Sequence, residues 1–534
     1  MHSKSVDRRK MISNFDGRKG LTMISCFQLT TLLLISLLFV PIPVISSPVN
    51  TTSGLVIGHA STTRPSVVEY LGIPYANAPV GSLRFAPPVR FVSGTPFEAA
   101  NFTPSKSIRY PNGTTLQQII IANFASQNVM PQSEDCLKLN VWAKDTSRNK
   151  KPVLLWIHGG RFSLGSTNNP FYQGQYIADK EDIIVVSMNY RLNVFGYPGA
   201  PGLPRNIALL DQRMAIEWVR DNIAAFGGDP GRITLVGHSA GGVMADYYTY
   251  NHIEDPIVHA VVPMSGTAIS FLPNTPEQAE KYWYTLSEVL GCGSSGDTLP
   301  CVRSKPATDV LAAVAKVPPE PSNLLPQPVF HPTIDEKLVF SNYEERAAKG
   351  MFAKIPYLIG NGDYEAGYYK ISAYALNITT ISEKAWHLFN LAGFTCPNAR
   401  EASYRTAMGV PTWRYMYFGE WPNSILFPGS GSYHGSDVAQ LFGTAEDVSN
   451  GTANTETEAK FSAYMMHAFA AFAADPRKGL SKLGWPRYRI NGRGKTLIGL
   501  AIRNRPRAAY LPPLFSDKDC PLVGTNTSYA HGGF

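Results

Sequence analysis

The chain has 534 residues, of which 44% are apolar and only 16% charged, a composition typical of a folded globular protein and not of a disordered or fibrous one. The formal net charge is +8, but half of it lies in residues 1–47, where six basic residues accompany two acidic ones. The rest of the chain shows no basic face that needs explaining, so we expect no nucleic-acid partner.

Residues 1–47 have the pattern of a secretory signal peptide. A basic stretch precedes the apolar run 29–40, which is followed by two prolines and by Ser46 and Ser47. We expect cleavage near Ser47, a secreted protein comprising residues 48–534, and no stable membrane anchor after cleavage. The long basic stretch also fits an uncleaved signal anchor, so the sequence leaves this alternative open.

Sequons and cysteines beyond the predicted signal peptide, residues 1–47, indicate a protein that passes through the oxidising secretory pathway. Six N-glycosylation sequons occur there, at Asn50, Asn101, Asn112, Asn377, Asn450 and Asn526. Five cysteines also lie beyond the leader, and most of them should be paired in such a compartment. Cys292 and Cys301 flank a loop rich in glycine and serine, which we expect them to close. Cys396 with Cys520 would then tether the C-terminal tail, which leaves Cys136 odd.

Short apolar runs bounded by turn residues predict buried parallel strands at 153–157, 183–188, 233–236, 260–263 and 357–359. Between the second and third runs, Leu210, Met214, Trp218 and Ile223 recur at helical spacing until "FGG" ends the pattern. Residues 464–474 predict a further helix and 496–500 a late strand. The alternation of strand, helix and strand predicts one large α/β domain with right-handed crossovers.

The stretch "GHSAG" at 237–241 fits the pattern G-x-S-x-G between a predicted strand and a predicted helix. In that context the glycines let strand and helix approach each other around a tight, strained turn that presents the serine hydroxyl. Ser239 is therefore a candidate nucleophile. The alternative is that it only punctuates a turn.

A serine nucleophile needs a base, and in this arrangement the chain order is serine, acid, histidine. His434 lies in the small-residue loop "GSGSYHGSD", a setting in which an imidazole can act as a general base. An exposed loop histidine without a role is the alternative. His387 and His467 lie in helical, mostly apolar patterns, so we expect both to be packed in the core, and His531 lies in the tail.

For the acid, "IPYLIGNGDYEAGYY" offers two carboxylates just after a predicted strand, Asp363 and Glu365. Both could instead cap the helix that follows. The spacing alone does not choose between them.

The stretch "VLLWIHGGRF" runs from a buried strand into a glycine pair and resembles the HGGG-type loop of serine hydrolases. The N–H groups of Gly160 and Arg161, together with that of Ala240, are candidate donors to a developing oxyanion. Each such donor is typically worth about 3 to 4 kcal/mol in the transition state. The alternative is a tight turn with no catalytic role.

These motifs resemble those of the type-B carboxylesterase/lipase family, to which cholinesterases and the non-catalytic neuroligins belong. The resemblance covers most of the mature chain and is carried by five blocks: "YLGIPYANAPVGSLRF" (70–85), "SEDCLKLNVW" (133–142), "WIHGGRF" (156–162), "LLDQRMAIEWVRDNIAAFGGDPGRITLVGHSAGG" (209–242) and "YHGSD" (433–437). It implies an α/β-hydrolase fold with a large, mostly parallel central sheet flanked by helices.

The resemblance also implies roles for individual residues. It makes Ser239 the nucleophile, Glu365 the acid and His434 the base, and it assigns the oxyanion donors to Gly160, Arg161 and Ala240. It implies the same two disulfides as the loop argument, Cys292–Cys301 and Cys396–Cys520. It further suggests three substrate-pocket residues, each of which could equally be ordinary core: Phe330, Tyr368 and Tyr369.

The chain departs from the family pattern in four places. Arg161 stands where a third glycine is usual, and its side chain could favour anionic or polar substrates. His238 replaces the glutamate that precedes the nucleophile in cholinesterases, which disfavours choline esters. Cys136 lacks its upstream partner, so we expect a freer loop around the apolar segment 116–124, itself a lid or packed core. The acidic element is slightly longer than in cholinesterases, which keeps Asp363 as a rival acid.

The sequence therefore predicts a secreted serine carboxylesterase that hydrolyses a small-molecule or lipid ester through an acyl-enzyme, with no metal or organic cofactor. Two other functions stay open. One is a lipase acting on longer-chain acylglycerols. The other is a neuroligin-like binding protein, which the retained Ser239 disfavours.

Overall fold

The structure, a computed structural model, describes residues 48–102, 132–144, 146, 150–322, 325–489 and 494–524. The leader, the apolar segment 116–124, His531 and the sequons at Asn112 and Asn526 lie outside these residues. The described residues belong to one compact unit, Ile45–Phe534. No helix among them is long and apolar enough to cross a bilayer.

Within the described residues, fourteen strands form one 11-stranded mixed sheet and one 3-stranded sheet. They are β1 Val49–Thr51, β2 Gly54–Ile57, β3 His59–Ala60, β4 Val67–Pro74, β5 Phe97–Glu98, β6 Lys138–Lys144, β7 Lys151–Ile157, β8 Ile184–Met188, β9 Gly228–His238, β10 Ala260–Met264, β11 Tyr357–Gly362, β12 Thr412–Tyr417, β13 Leu497–Leu500 and β14 Ala509–Leu511. The small sheet has the order β1-β2-β5.

The large sheet has the order β14-β13-β12-β11-β10-β9-β7-β8-β6-β4-β3. All neighbours from β13 to β8 are parallel. The pairs at the two margins, β14 with β13 and β8-β6-β4-β3, are antiparallel. The expected α/β-hydrolase sheet, parallel through its centre, is therefore confirmed.

The α-helices of the described residues are α1 Gln175–Glu181, α2 Asn193–Gly196, α3 Ile207–Asn222, α4 Ala240–Asn251, α5 Pro276–Val289, α6 Leu299–Ser304, α7 Ala307–Val314, α8 Tyr343–Ala348, α9 Ala366–Ala375, α10 Glu383–Asn390, α11 Cys396–Ala407, α12 Val438–Phe442, α13 Ala445–Val448, α14 Glu456–Ala474, α15 Gly479–Lys482 and α16 Leu514–Asp517. A π-helical turn, Leu391–Thr395, joins α10 to α11. The predicted crossover helix is α3, and the predicted helix at 464–474 is the second half of α14.

The central strands are buried on both faces, which explains why they appear in the sequence as continuous apolar runs. In β7, Leu155 belongs to one core cluster, whereas its neighbours Leu154 and Trp156 belong to the cluster on the opposite face. Side chains of α3 and α4 contribute to the first cluster and those of α14 to the second. Helices therefore cover both faces, as right-handed crossovers require.

The carboxyl ends of the parallel strands meet at one edge of the sheet, where open α/β sheets bind ligands. His158 follows β7, Ser239 follows β9, Ser265 follows β10 and Glu365 lies three residues after β11. The topology therefore gathers the candidate catalytic residues at a single edge.

Both expected disulfides are present. Cys292 is bonded to Cys301, and Cys396 is bonded to Cys520 across a sequence separation of 124 residues. Cys136 is free. The cysteine predictions are confirmed.

Two histidines expected in the core are instead exposed, and that prediction was wrong. His387 and His467 lie on α10 and α14 as predicted, but their side chains are 51% and 55% exposed. On α10 the buried positions include Trp386 and Phe389, and His387 falls outside that stripe. An apolar segment indicates a helix, whereas the side of the helix on which a residue lies depends on its phase.

Candidate active site

Ser239 occupies a strained turn between a strand and a helix. β9 ends at His238 and α4 begins at Ala240, and Ser239 between them has φ 58° and ψ −126°. Non-glycine residues rarely adopt such a conformation, and where they do it is often at a functional site. The Ser239 N–H donates to the Met264 carbonyl of β10 at 2.8 Å, which ties the turn to the neighbouring strand.

The two glycines of the motif are needed because backbones approach them closely. A Cβ on Gly237 would lie 2.1 Å from the carbonyl oxygen of Gly241. A Cβ on Gly241 would lie 2.2 Å from the carbonyl oxygen of Ile157, at the end of β7. A side chain at either position would push the helix away from the sheet edge.

His434 lies against Glu365. The Nδ1 atom of His434 is 2.5 Å from Oε2 of Glu365, and both side chains are buried. The other carboxylate oxygen, Oε1, accepts hydrogen bonds from the Ser265 hydroxyl at 2.7 Å and from the Gly362 N–H at 2.5 Å. These contacts fix the carboxylate and, through it, the orientation of the imidazole.

Burial shifts the pKa values of this pair in opposite directions. It raises the pKa of Glu365 above its ordinary value, an effect that the hydrogen bonds from Ser265 and Gly362 partly offset. It lowers the pKa of His434 to about 3. Both shifts arise because a single charge is costly in a buried place. A proton taken up by the imidazole would create an ion pair with the carboxylate. In that pair each charge lowers the free-energy cost of burying the other.

Aromatic rings surround the imidazole of His434. Its centroid is 4.5 Å from that of His238, 5.1 Å from that of Tyr369 and 5.3 Å from that of Phe394. Its Nε2 atom is buried and has no hydrogen-bond partner among the described residues. The imidazole therefore packs against the residue that precedes Ser239 and against a tyrosine of α9.

The loop after β7 passes directly over the nucleophile. A Cβ on Gly159 would lie 2.7 Å from Cβ of Ser239 and 3.4 Å from its Oγ. The next residues, Gly160 and Arg161, have φ values of 119° and 55°, so the chain turns sharply here. Ala240 is the first residue of α4, and N–H groups of a first helical turn have no acceptor within their own helix. The loop and the start of α4 therefore both lie beside the same serine.

The rival acid Asp363 has an exposed side chain. Its backbone N–H donates to the Tyr417 carbonyl at 2.8 Å and to the Ser432 hydroxyl at 3.1 Å. Of the two carboxylates offered by the sequence, the structure brings Glu365 and not Asp363 into contact with His434.

The other candidate residues have different surroundings. The Tyr369 ring packs against the His434 imidazole as described, and the half-buried Tyr368 has its ring centroid 5.8 Å from that of Tyr369. The Arg161 guanidinium donates to the Pro326 carbonyl at 2.6 Å. Phe330 is buried in a separate core cluster, with its ring centroid 6.4 Å from that of Tyr282. Its role in lining the pocket stays a prediction.

Comparison with known proteins identifies the family. Residues 46–390, more than half of the chain, match the carboxylesterase family. The chain belongs to the carboxylesterase family. It is similar to the secreted lipase 5 of Gibberella zeae, with 34% identity over 86% of this chain and 91% of that protein. It is also similar to the chlorogenic acid esterase of Aspergillus niger (35% identity, 82% of this chain and 84% of that one) and to carboxylesterase 5A of Felis catus (30%, 84% and 89%). It is therefore a carboxylic-ester hydrolase of type B.

Two contacts in this carboxylesterase were missed in the sequence. Ser265 binds the carboxylate of Glu365, and the available signal was its position two residues after the predicted strand at 260–263, beside the strand of the nucleophile. Phe394 packs on His434 from the π-helical turn, and nothing in its local sequence indicates that contact. Among the described residues, no group of three or more His, Cys, Asp or Glu side chains is arranged to hold a metal ion.

Proposed function

We propose that this carboxylesterase hydrolyses its ester through a covalent acyl-enzyme, with Ser239 as nucleophile, His434 as general base and Glu365 as the acid that orients it. The observation that carries the proposal is the 2.5 Å contact between Nδ1 of His434 and the buried Glu365 carboxylate, beside a serine in a strained strand-to-helix turn. A carboxylate on Nδ1 keeps that nitrogen protonated and leaves Nε2 free to accept a proton.

The proposed reaction has two halves. In acylation, Oγ of Ser239 attacks the carbonyl carbon and its proton passes to Nε2 of His434. The bond to the alcohol then breaks, and the alcohol leaves with that proton. In deacylation, water attacks the acyl group, its proton passes to Nε2, and the proton then returns to Ser239 as the acid product departs. Burial lowers the pKa of His434, so the imidazole starts each half as a neutral base.

We propose the N–H groups of Gly160, Arg161 and Ala240 as the oxyanion donors. The close passage of the loop at Gly159 over Ser239 supports this assignment. Donors of this kind act when the carbonyl oxygen gains negative charge, so they lower the barrier more than they tighten substrate binding.

Ser239→Ala tests the mechanism. Purified protein mixed with 4-nitrophenyl acetate should release a burst of about one 4-nitrophenol per chain, and the variant should release none. Peptide mapping after treatment with diethyl 4-nitrophenyl phosphate should place the phosphoryl group on Ser239. Ser403→Ala is the matched control, because Ser403 lies on α11 and its hydroxyl donates to the Ala399 carbonyl. A full burst in Ser239→Ala would refute the assignment.

The relatives support two substrate classes. One relative is named a chlorogenic acid esterase and another a secreted lipase, and the identities are nearly equal. We propose small soluble esters as the main substrates. A lipase would hydrolyse emulsified long-chain esters faster than soluble short ones, so 4-nitrophenyl esters of increasing chain length, below and above their solubility limit, distinguish the two. Folded protein that is inert towards every activated ester would instead favour a binding role.

We also propose that the protein is secreted after cleavage near Ser47. The leader pattern, the two disulfides and the secreted relative support this. The sequons within the described residues have exposed asparagines, as glycosylation requires: Asn50, Asn101, Asn377 and Asn450. N-terminal sequencing and glycosidase treatment of the protein recovered from culture medium test this proposal.

A further inference from the structure

The loop after β7 is held by the imidazole of its first residue, His158. Nδ1 of His158 lies 2.8 Å from the carbonyl oxygen of the next residue, Gly159. A carbonyl oxygen can only accept a hydrogen bond, so Nδ1 carries the proton and donates it. The Nε2 atom is buried without a hydrogen-bond partner among the described residues, so a proton there would have no acceptor. Both facts favour the tautomer of His158 with its proton on Nδ1.

The contact between His158 and Gly159 is buried and supported from two sides. His158 is 1% exposed, and its ring stacks on that of Tyr190 with the centroids 4.6 Å apart. The Tyr190 hydroxyl also donates to the His158 carbonyl at 2.8 Å. On another side, a Cβ on Gly165 would lie 2.6 Å from both Nδ1 of His158 and the Gly159 carbonyl oxygen, so the backbone of the loop returns directly onto the contact. Burial lowers the pKa of His158 to about 4, so the imidazole stays neutral near pH 7.

The Gly159 carbonyl belongs to the same peptide group as the Gly160 N–H. A trans peptide group is planar, and its C=O and N–H point in opposite directions, so a hydrogen bond that holds the carbonyl also sets the direction of the N–H. The next peptide group is held differently, because the Gly160 carbonyl accepts from the N–H groups of Ser163 at 3.1 Å and Leu164 at 3.0 Å. Backbone hydrogen bonds therefore orient the Arg161 N–H, whereas a side chain orients the Gly160 N–H.

We propose that His158 is a positioning residue for the reaction, whose Nδ1–H holds the peptide group through which Gly160 donates to the oxyanion. The inference rests on the proposed function, in which the Gly160 N–H is one of three oxyanion donors. Acylation and deacylation both pass through a negatively charged carbonyl oxygen, so His158 affects both halves. Its effect falls on kcat more than on KM, because the donor acts when the charge develops. No covalent bond of His158 forms or breaks.

Replacement of His158 by phenylalanine and by asparagine tests the proposal. Phenylalanine keeps a flat ring against Tyr190 and removes the donor, whereas the NH₂ group of asparagine can take the place of Nδ1. With 4-nitrophenyl acetate we expect His158→Phe to lower kcat about 10- to 10³-fold and to keep KM within about 2-fold, the upper limit being the loss of a whole oxyanion donor. His158→Asn should keep kcat within about 3-fold, because it still donates to the carbonyl.

His59 provides the matched control. Its Nδ1 also lies near the carbonyl oxygen of the next residue, Ala60, at 3.1 Å, and its Nε2 is also buried without a partner among the described residues. His59 lies on β3 at the outer edge of the large sheet. His59→Phe and His59→Asn should therefore leave kcat and KM unchanged.

Inhibition by 1,1,1-trifluorobutan-2-one separates an oriented oxyanion donor from general support of the fold. Oγ of Ser239 adds to the carbonyl carbon of this ketone, its proton passes to Nε2 of His434, and the electron pair of the C=O bond moves to the oxygen, as in the transition state. His158→Phe should raise the inhibition constant by about the factor by which kcat falls, and His158→Asn should leave it unchanged. Butan-2-one, which forms no stable adduct, should bind both variants equally.

An unchanged kcat in folded His158→Phe overturns the proposal, and so do equal losses in the two variants or a change in KM alone. If His158→Phe does not fold, a crystal structure of the unmodified protein with the trifluoromethyl ketone bound decides. We expect Nδ1 of His158 within hydrogen-bond distance of the Gly159 carbonyl and the Gly160 N–H directed at the ketone oxygen, and a Gly159 carbonyl turned away from His158 refutes the inference. If the unmodified protein shows no burst and forms no adduct on Ser239, the proposed function fails instead, which separates the two failures.

Discussion

Replacement of Glu365 by glutamine tests the geometry of the site most directly. In the protein, Oε1 accepts two hydrogen bonds, from Ser265 and Gly362, and Oε2 faces Nδ1 of His434. A glutamine must keep its carbonyl oxygen at the Oε1 position, because both partners there are donors. Its NH₂ group then faces Nδ1, which has to become an acceptor. The imidazole proton moves to Nε2, and this nitrogen can no longer take a proton from Ser239.

The size of the effect follows from the same contact. During reaction the imidazolium and the carboxylate would be opposite charges about 4 Å apart, which at an effective dielectric constant of about 20 interact by about 4 kcal/mol. That loss alone corresponds to about 10³-fold in rate, and the wrong tautomer adds to it. We therefore expect Glu365→Gln to lower kcat by about 10⁴-fold with little change in KM, the range known for such acid-to-amide changes in triads.

Steady-state kinetics with 4-nitrophenyl acetate at pH 7 measure this effect, and Asp363→Asn is the matched control. Asp363 is an exposed carboxylate two residues earlier, so its amide variant should keep kcat within about 2-fold. A Glu365→Gln variant that retains a tenth of the activity, or an Asp363→Asn variant that loses most of it, would refute the assignment of the acid.

Three further predictions concern other sites. Burial raises the pKa of Asp437 from 3.8 to about 7, with the charge of Glu365 as a smaller cause. The folded state therefore binds this proton more tightly than the unfolded state, and the resulting stability is complete below about pH 4 and lost as the pH rises through 7. Asp437→Asn should therefore raise Tm more at pH 8 than at pH 4. The pKa shift limits the difference between the two pH values to about 4 kcal/mol in the free energy of unfolding. An equal rise in Tm at both pH values would contradict this. Arg161→Gly should lower kcat/KM for mono(4-nitrophenyl) succinate about 10-fold relative to 4-nitrophenyl acetate, and an unchanged ratio would remove the anionic-substrate hypothesis. Burial, helped by the charge of Asp211, raises the pKa of Cys136 from 9.0 to about 12. Its thiol should therefore react with Ellman's reagent at pH 8 about 10³-fold more slowly in the folded than in the unfolded protein, and comparable rates would show an accessible thiolate.

The sequence predicted six of the seven parallel strands, because parallel strands buried on both faces are mostly continuous apolar runs. The predicted length of β9 was too short: the strand was expected at 233–236 and runs over Gly228–His238. The additional residues are mostly polar or glycine. They extend the strand because Gly228 pairs with Lys151 of β7, a partner supplied by tertiary structure. The parallel strand β12 and the antiparallel strands β4 and β6 were not predicted, because polar or charged residues interrupt their apolar runs. The edge strands β3 and β14 were not predicted because they have only two and three residues.

The choice of acid could not be made from spacing because it depends on how the chain turns after β11. Gly362 is the last residue of that strand, and the turn leaves Asp363 at the surface. Three residues after the strand, the carboxylate of Glu365 folds back onto the Gly362 N–H and so faces inward. The resemblance to the family indicated Glu365, but only the turn explains why the residue two positions earlier cannot do the same work.

The packing of Tyr369 on His434 has a cause that the sequence does contain. Glu365 immediately precedes α9 and Tyr369 is four residues later, so both side chains lie on the same face of the helix. A face that directs the carboxylate of Glu365 at Nδ1 of His434 must also direct the residue at the next turn towards the imidazole, where its ring lies 5.1 Å away. The same helix therefore binds the imidazole through one residue and packs a ring against it through the other.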